Sequence, residues 1–249
     1  MDSGLYSAYT ALRSRTEALD VAAHNLANVT TTGYHAARAS FQGMLAEAQG
    51  SFQSQLGNAI NSQALLIGHH VSDLQGTIAS TGNTLDLAIR GKGYFAVKTS
   101  QGTRYTRDGE LQLDNTGMLV TKQGDPVLDT KGAPIHIPAG DINIGEDGSI
   151  SVGNAEGSAI VGSIGLVDLG LGGAEESNVA GLYQATATAK SKPSTASIQQ
   201  GALEGANQDT VTGTVQLVEI QREAEMMQKM LTVFNNDFDK TASEQLAKV

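Results

Sequence analysis

The sequence contains no cysteine and no tryptophan, and its aromatic complement is five Phe and six Tyr in 249 residues. Without cysteine there is no disulfide, no thiolate metal site and no thiol nucleophile. Cations are scarce too: 16 Lys and Arg stand against 26 Asp and Glu, a formal net charge of −10. That balance argues against a nucleic-acid-binding surface, because little is available to neutralise phosphates, and against an anchor for anionic membranes. Long apolar runs are also missing. Ala64-Leu65-Leu66-Ile67 is far too short to span a membrane. Met1-Asp2-Ser3-Gly4 lacks a basic stretch followed by an apolar one, so no ordinary secretory signal is expected, and on that ground alone the chain reads as cytosolic.

What is abundant is glycine, 29 residues, which suggests a turn-rich β domain. The two ends of the chain read differently. Leu217, Ile220, Ala224, Met227, Leu231, Phe234 and Phe238 recur at alternating steps of three and four, with mostly polar residues between them. That is a heptad stripe on one helix face. Leu5, Ala8, Leu12, Arg15, Leu19, Ala22 and Leu26 repeat the pattern, and only Arg15 breaks its apolar character. Neither helix buries its stripe alone. Two readings stay open on spacing: the stripes pack on each other as a coiled coil, or each is an ordinary surface helix of one domain. A charge at a stripe position fixes register or partner; alternatively the helix rotates slightly and lets Arg15 reach out.

Between the ends, residues 34–80 carry weak signals. Residues 36–48 suit a short helix with Phe41, Met44 and Leu45 on one side, 50–62 are polar, and 64–79 are extended or partly helical. From Thr81 the texture becomes β. Leu85, Leu87 and Ile89 alternate with Asp86, Ala88 and Arg90, as in a half-buried strand. Gly91-Lys92-Gly93 reads as a hairpin turn, with Tyr94–Val97 the returning strand. Turn signals then recur every eight to twelve residues to about 189, the pattern of an all-β domain. The predicted fold is mixed α and β: terminal helices paired as an inner coiled coil, with an inserted, mainly antiparallel all-β domain. Its parts are a helix at 1–30, an extended connector at 31–80, the β domain at 81–189, a return connector at 190–208 and a helix at 209–249.

No pattern points to a catalytic, cofactor or metal site. Gly91-Lys92-Gly93 lacks the spacing of a phosphate loop, residues 141–147 do not fit a calcium loop, and the adjacent His69 and His70 point apart on either regular structure. No nucleophile elbow occurs. Arg104 and Arg107 flank Tyr105 in a strand; they could hold a carboxylate, and an ion pair on a sheet face is the favoured reading.

Four segments carry a resemblance. They are Asn25-Leu26-Ala27-Asn28 with Thr31-Thr32-Gly33, then Leu85-Asp86-Leu87-Ala88-Ile89 with Gly91, Gly93 and Phe95, then Tyr105-Thr106-Arg107-Asp108-Gly109, and last Gly201-Ala202-Leu203-Glu204 with Asn207. Together and in this order they resemble the bacterial flagellar axial proteins, and most of all the basal-body rod proteins. The compact β region is most similar to the proximal-rod type, with the distal-rod type close behind. Departures from the family pattern include Tyr34-His35 and Ala206.

The resemblance implies a structural subunit, not an enzyme, with no cofactor. It implies terminal helices that line a central export channel, an outer β layer, and helical polymerisation into a shaft that transmits torque. The implied partners are further copies of the chain, neighbouring rod proteins and, in transit, the flagellar type III export apparatus. Nucleic acid and direct membrane insertion are not among them. The implied location is the basal body, outside the cytoplasm, reached without a cleavable signal. The alternative class is a ligand-binding module or enzyme on a β scaffold with helical oligomerisation ends, which a ligand-dependent thermal shift would support.

Overall fold

The computed structural model describes residues 2–42, 65–154, 157–177, 179, 181–187, 189 and 191–246, with side chains described except at 2–8, 39–42, 65–69, 234–235 and 237–246. Helix α1 is Asp2–Ala27 and helix α2 is Thr210–Leu246. The strands between them are β1 Ala37–Gln42, β2 Leu65–Val71, β3 Ile78–Ser80, β4 Leu87–Arg90, β5 Tyr94–Thr99, β6 Gly102–Thr106, β7 Leu111–Leu113, β8 Leu119–Thr121, β9 Asp141–Ile144, β10 Ser149–Asn154, β11 Gly157–Ser163, β12 Leu166–Asp168, β13 Ala174–Glu176, β14 Leu182–Ala185, β15 Lys192–Pro193, β16 Ser197–Gln200 and β17 Ala202–Glu204. They form two compact units. One holds both helices; the other comprises Ala27–Arg38 and His69–Asp209.

In the helical unit, the burial of α2 follows its sequence. Between 210 and 233 the positions that are not exposed are Gly213, Leu217, Ile220, Glu223, Ala224, Met227 and Leu231. The stripe positions Phe234 and Phe238, and Leu5 and Ala8 on α1, have side chains outside the described ones. On α1 the buried line is Ala18, Ala22 and Asn25, with Leu12, Leu19 and Leu26 half-buried beside it. It is rotated by one position from the stripe expected from spacing. Arg15, three residues before Ala18, stays beside this line; its long side chain reaches out to solvent, and its guanidinium meets the Glu223 carboxylate of α2 at 2.8 Å.

The β unit is built from antiparallel pairs. A six-stranded sheet runs in the order β13-β14-β6-β5-β12-β15, a three-stranded one β11-β10-β9, and short pairs join β16 to β4, β17 to β3 and β7 to β8. Its larger core gathers Leu87, Ile89, Phe95, Leu119, Ile150 and Ile198 among others, and a smaller one holds Val71, Tyr94, Leu169, Ala174 and Tyr183. Strand β5 feeds both, because Phe95 and Tyr94 point to opposite faces.

Three expectations are corrected. Residues 37–42 form a strand where the spacing of Phe41, Met44 and Leu45 predicts a helix, and β1 pairs with β2; residues 43–64 lie outside the described ones. Ladder hydrogen bonds to a distant segment override a short helical pattern that has no cap. Strand β4 is not half-buried: Asp86, Leu87, Ala88 and Ile89 are all buried. Nor do β4 and β5 form a hairpin. Strand β4 pairs with β16, and β5 with β6 and β12, so Gly91-Lys92-Gly93 is a corner between sheets.

Candidate functional site: a buried junction of motif residues

The four motif segments, distant in sequence, converge within the β unit. The segment leaving α1 and the segment entering α2 lie side by side: the Gly33 N–H donates to the Glu204 carbonyl at 2.7 Å, and the Asn207 N–H to the Tyr34 carbonyl at 3.1 Å. The Asn207 side chain accepts from the Ala36 N–H at 2.8 Å and donates to the Leu74 carbonyl at 2.7 Å. One asparagine thus ties together the exit, the return and the segment before β3.

At the centre stands Glu204, fully buried at the end of β17. Its Oε2 accepts from Arg107 Nη1 at 2.8 Å. Its Oε1 accepts from the Gly76 N–H at 2.8 Å and faces His35 Nε2 at 3.0 Å. The other ring nitrogen of His35 faces the Ser72 carbonyl at 2.8 Å. Both ring contacts are acceptors, so a ring carrying hydrogen on both nitrogens satisfies both. The Tyr183 hydroxyl accepts from the His35 N–H at 2.8 Å. Arg107 also donates from Nη2 to the Gly91 carbonyl at 2.6 Å, and its guanidinium carbon lies 5.4 Å from the centroid of the Tyr94 ring. Arg107 thus makes the expected ion pair, but in a buried junction and not on the face of the sheet. It lies beyond the end of β6, 3% exposed, because Thr106 closes the strand and turns the chain inward.

The charges are balanced by contact rather than by water. Burial pushes the Glu204 carboxyl upward, but the His35 hydrogen bond and the Arg107 charge and hydrogen bond outweigh it and hold the group below its ordinary value. Burial raises the Tyr94 phenol to about 12, against the lowering effect of Arg107. Tyr34 and Tyr183 are also raised, chiefly by burial. All three tyrosines are therefore uncharged, and Tyr94 and Tyr183 contact the ion cluster.

Backbone contact sets how tightly the segments approach. A Cβ at Gly33, whose φ is 66°, would lie 2.3 Å from the Arg107 carbonyl carbon. One at Gly109 would lie 1.6 Å from the Leu87 carbonyl oxygen, where the Leu87 N–H donates to the Gly109 carbonyl at 3.0 Å. Asp86 is held by the Thr81 hydroxyl at 2.6 Å and Asn83 Nδ2 at 3.0 Å, and its carbonyl accepts the Gly201 N–H at 2.8 Å. Thr106 donates its hydroxyl to the Gly181 carbonyl at 2.7 Å. Phe95, Ile89 and Ala88 are buried, and Leu85, Tyr105 and Leu203 half-buried. Gly91 and Gly93 mark the corner whose carbonyl receives Arg107. Asn28 accepts the Thr31 hydroxyl at 3.3 Å in the turn after α1, and Thr32 is half-buried there. Asn25 is buried and Ala27 exposed at the last turn of that helix.

Ser72 and Tyr183 are not singled out by the sequence, His35 stands out only as a departure from the family pattern, and Tyr94 only as a strand residue. The His35 contact with Glu204 spans 169 residues, and no local pattern encodes such a pairing. His70 lies in β2, and no cluster of three potential metal ligands occurs among the described residues.

A helical unit made from both chain ends, and a β unit inserted between them whose own entry and exit segments meet in one buried junction, define a class of protein: a folded module inserted between terminal helices. Comparison with known proteins makes this specific. Residues 5–35 match the family described as flagella basal body rod protein, and residues 88–152 the family described as flagellar hook protein FlgE/F/G D1 domain. The chain is 35% identical to the flagellar basal-body rod protein FlgG of Bacillus subtilis, with 92% of this chain and 93% of that one covered. It is 34% identical to FlgF of Caulobacter vibrioides over the full length of both, and 33% identical to FlgF of Mesorhizobium japonicum over 89% of each. The chain belongs to the flagellar basal-body rod protein family.

Proposed function

We propose that this chain is a structural subunit of the proximal rod, incorporated through its terminal helices. The observation that carries the structural part is the buried junction. It brings the segment that follows α1 and the segment that precedes α2 side by side through Gly33, Glu204 and Asn207. In this reading the inner stripes of α1 and α2 pair with each other, antiparallel, and Arg15–Glu223 sets their register. Further copies of the chain and neighbouring rod proteins are the partners, and export proceeds through the flagellar type III apparatus. The proximal position rests on the full-length match to FlgF of Caulobacter vibrioides. The similarity to FlgG of Bacillus subtilis supports the distal position as the second reading.

The test is localisation together with loss of function. Deletion of the gene is expected to abolish swimming, and the protein is expected in purified basal bodies. Absence from basal bodies would overturn the rod reading. Single cysteines at the exposed positions Ala23 or Met230 then separate the two positions, since cross-linking identifies the neighbours. Neighbours at the hook end of the rod would replace the proximal reading with the distal one.

A further inference from the structure

One segment laces the β unit together. Residues 197–207 carry β16, β17 and the approach to α2, and they are nearly the last of that unit in chain order. Strand β16 is the sole ladder partner of β4 among the described residues, and β17 that of β3. Gln200 crosses to the three-stranded sheet: its side chain donates to the Ile142 carbonyl at 3.2 Å and accepts from the Ile144 N–H at 3.2 Å. The Ile198 N–H donates to the Glu146 carbonyl at 2.9 Å, while its side chain is 1% exposed in the larger core. The Gly205 N–H donates to the Thr77 carbonyl at 2.8 Å.

The chain up to residue 196 leaves three needs unmet. Strand β4 is buried along Leu87, Ala88 and Ile89, and buried N–H and C=O groups without a ladder are strongly unfavourable. The larger core lacks Ile198. Arg107 stands 97 residues before Glu204 and has no other ion-pair partner among the described residues. A buried cation without its counter-charge is more unfavourable still. These needs arise at separate places, in a ladder, a core and an ion cluster, and one segment meets all three.

We infer that residues 197–207 are a closing strap: the β unit reaches its folded state only when they are laid in. Synthesis runs from the N-terminus, so every earlier strand of the unit is made before the segment that completes it. A chain whose strap is withheld stays open, and an open chain is the form a narrow export channel passes. The strap itself stands on the contacts above; its use in transit rests on the reading of this chain as an exported rod subunit.

Native-state hydrogen exchange on the full chain, in a series of urea concentrations below the unfolding transition, tests the strap. The Ile198, Gly201 and Gly205 amides are expected to exchange only through the opening that also exposes β5 and β10. Exchange of these three while β5 and β10 stay protected would overturn the inference, because the unit would then stand without its strap. Ile198→Ala is expected to lower protection in β5, in β10 and at Gly205 by one common factor, at least about tenfold. A loss confined to 197–207 would also overturn it. The use in transit has a separate readout in cells: Ile198→Ala should leave the cytoplasm at least as efficiently as the natural chain. Weaker export of the variant would overturn that use and leave the strap intact. A natural chain that is never exported would instead remove the export reading itself.

Discussion

Glu204 shows how much of the β unit hangs on a single side chain. It accepts hydrogen bonds from Arg107 and Gly76, contacts His35, and has no exposure to water. Glu204→Gln leaves Arg107 buried without its counter-charge, and breaking such a pair costs about 3–5 kcal/mol. A urea titration should show that loss at neutral pH. The same measurement has a pH signature. The carboxyl is held below its ordinary value of 4.5 in the folded state, so the unfolded chain takes up protons first as pH falls. The stabilisation is therefore fully present above about pH 4.5 and fades as pH drops through the lowered folded value. The gap between the natural chain and Glu204→Gln should narrow below pH 4.5; a gap that widens with acid would contradict the assignment. Gly109→Ala is expected to be comparably severe, about 3 kcal/mol, because the new methyl meets the Leu87 carbonyl and not a movable side chain.

At the level of single elements, the two helices carry faces of different weight. Arg15–Glu223 joins two exposed groups and should contribute no more than about 1 kcal/mol. Arg15→Ala is expected to leave the melting temperature nearly unchanged. Leu231→Asp is different. It places a charge on the half-buried line of α2, which belongs to the helical unit. The purified chain should remain soluble with its β-unit transition intact, and the cells should not swim. Normal swimming in that strain would count against the pairing of inner stripes.

For the molecule as a whole, the two units are expected to differ in stability. The β unit has a continuous apolar core and a satisfied ion cluster. Helix α2 exposes one apolar face, and isolated helices are marginal without tertiary partners. In hydrogen exchange on the dilute subunit, amides in β4, β5 and β10 should be protected strongly and those of α1 and α2 weakly. Protection of α1 equal to that of β5 would overturn this. The gain in helix protection on assembly would then measure what neighbouring copies supply.

The α2 stripe, the glycine-rich β texture and the family motifs were all legible from residue order, because helix periodicity, turn chemistry and sequence signatures are local. The inner stripe of α1 was legible only to within one position. A seam containing alanine and arginine leaves the helix rotation undetermined until packing chooses Ala18, Ala22 and Asn25. The corner at Gly91–Gly93 and the partners of β4 were out of reach for another reason. A strand's hydrogen bonds are satisfied equally well by a near or a distant segment, and which one wins is settled by the cores on its two faces. The same holds for the motifs. Their recurrence identified the family, but that Gly33, Arg107, Glu204 and Asn207 meet in one junction follows from long-range closure of the chain. There, the desolvation of a buried carboxylate is offset only when all its partners arrive together.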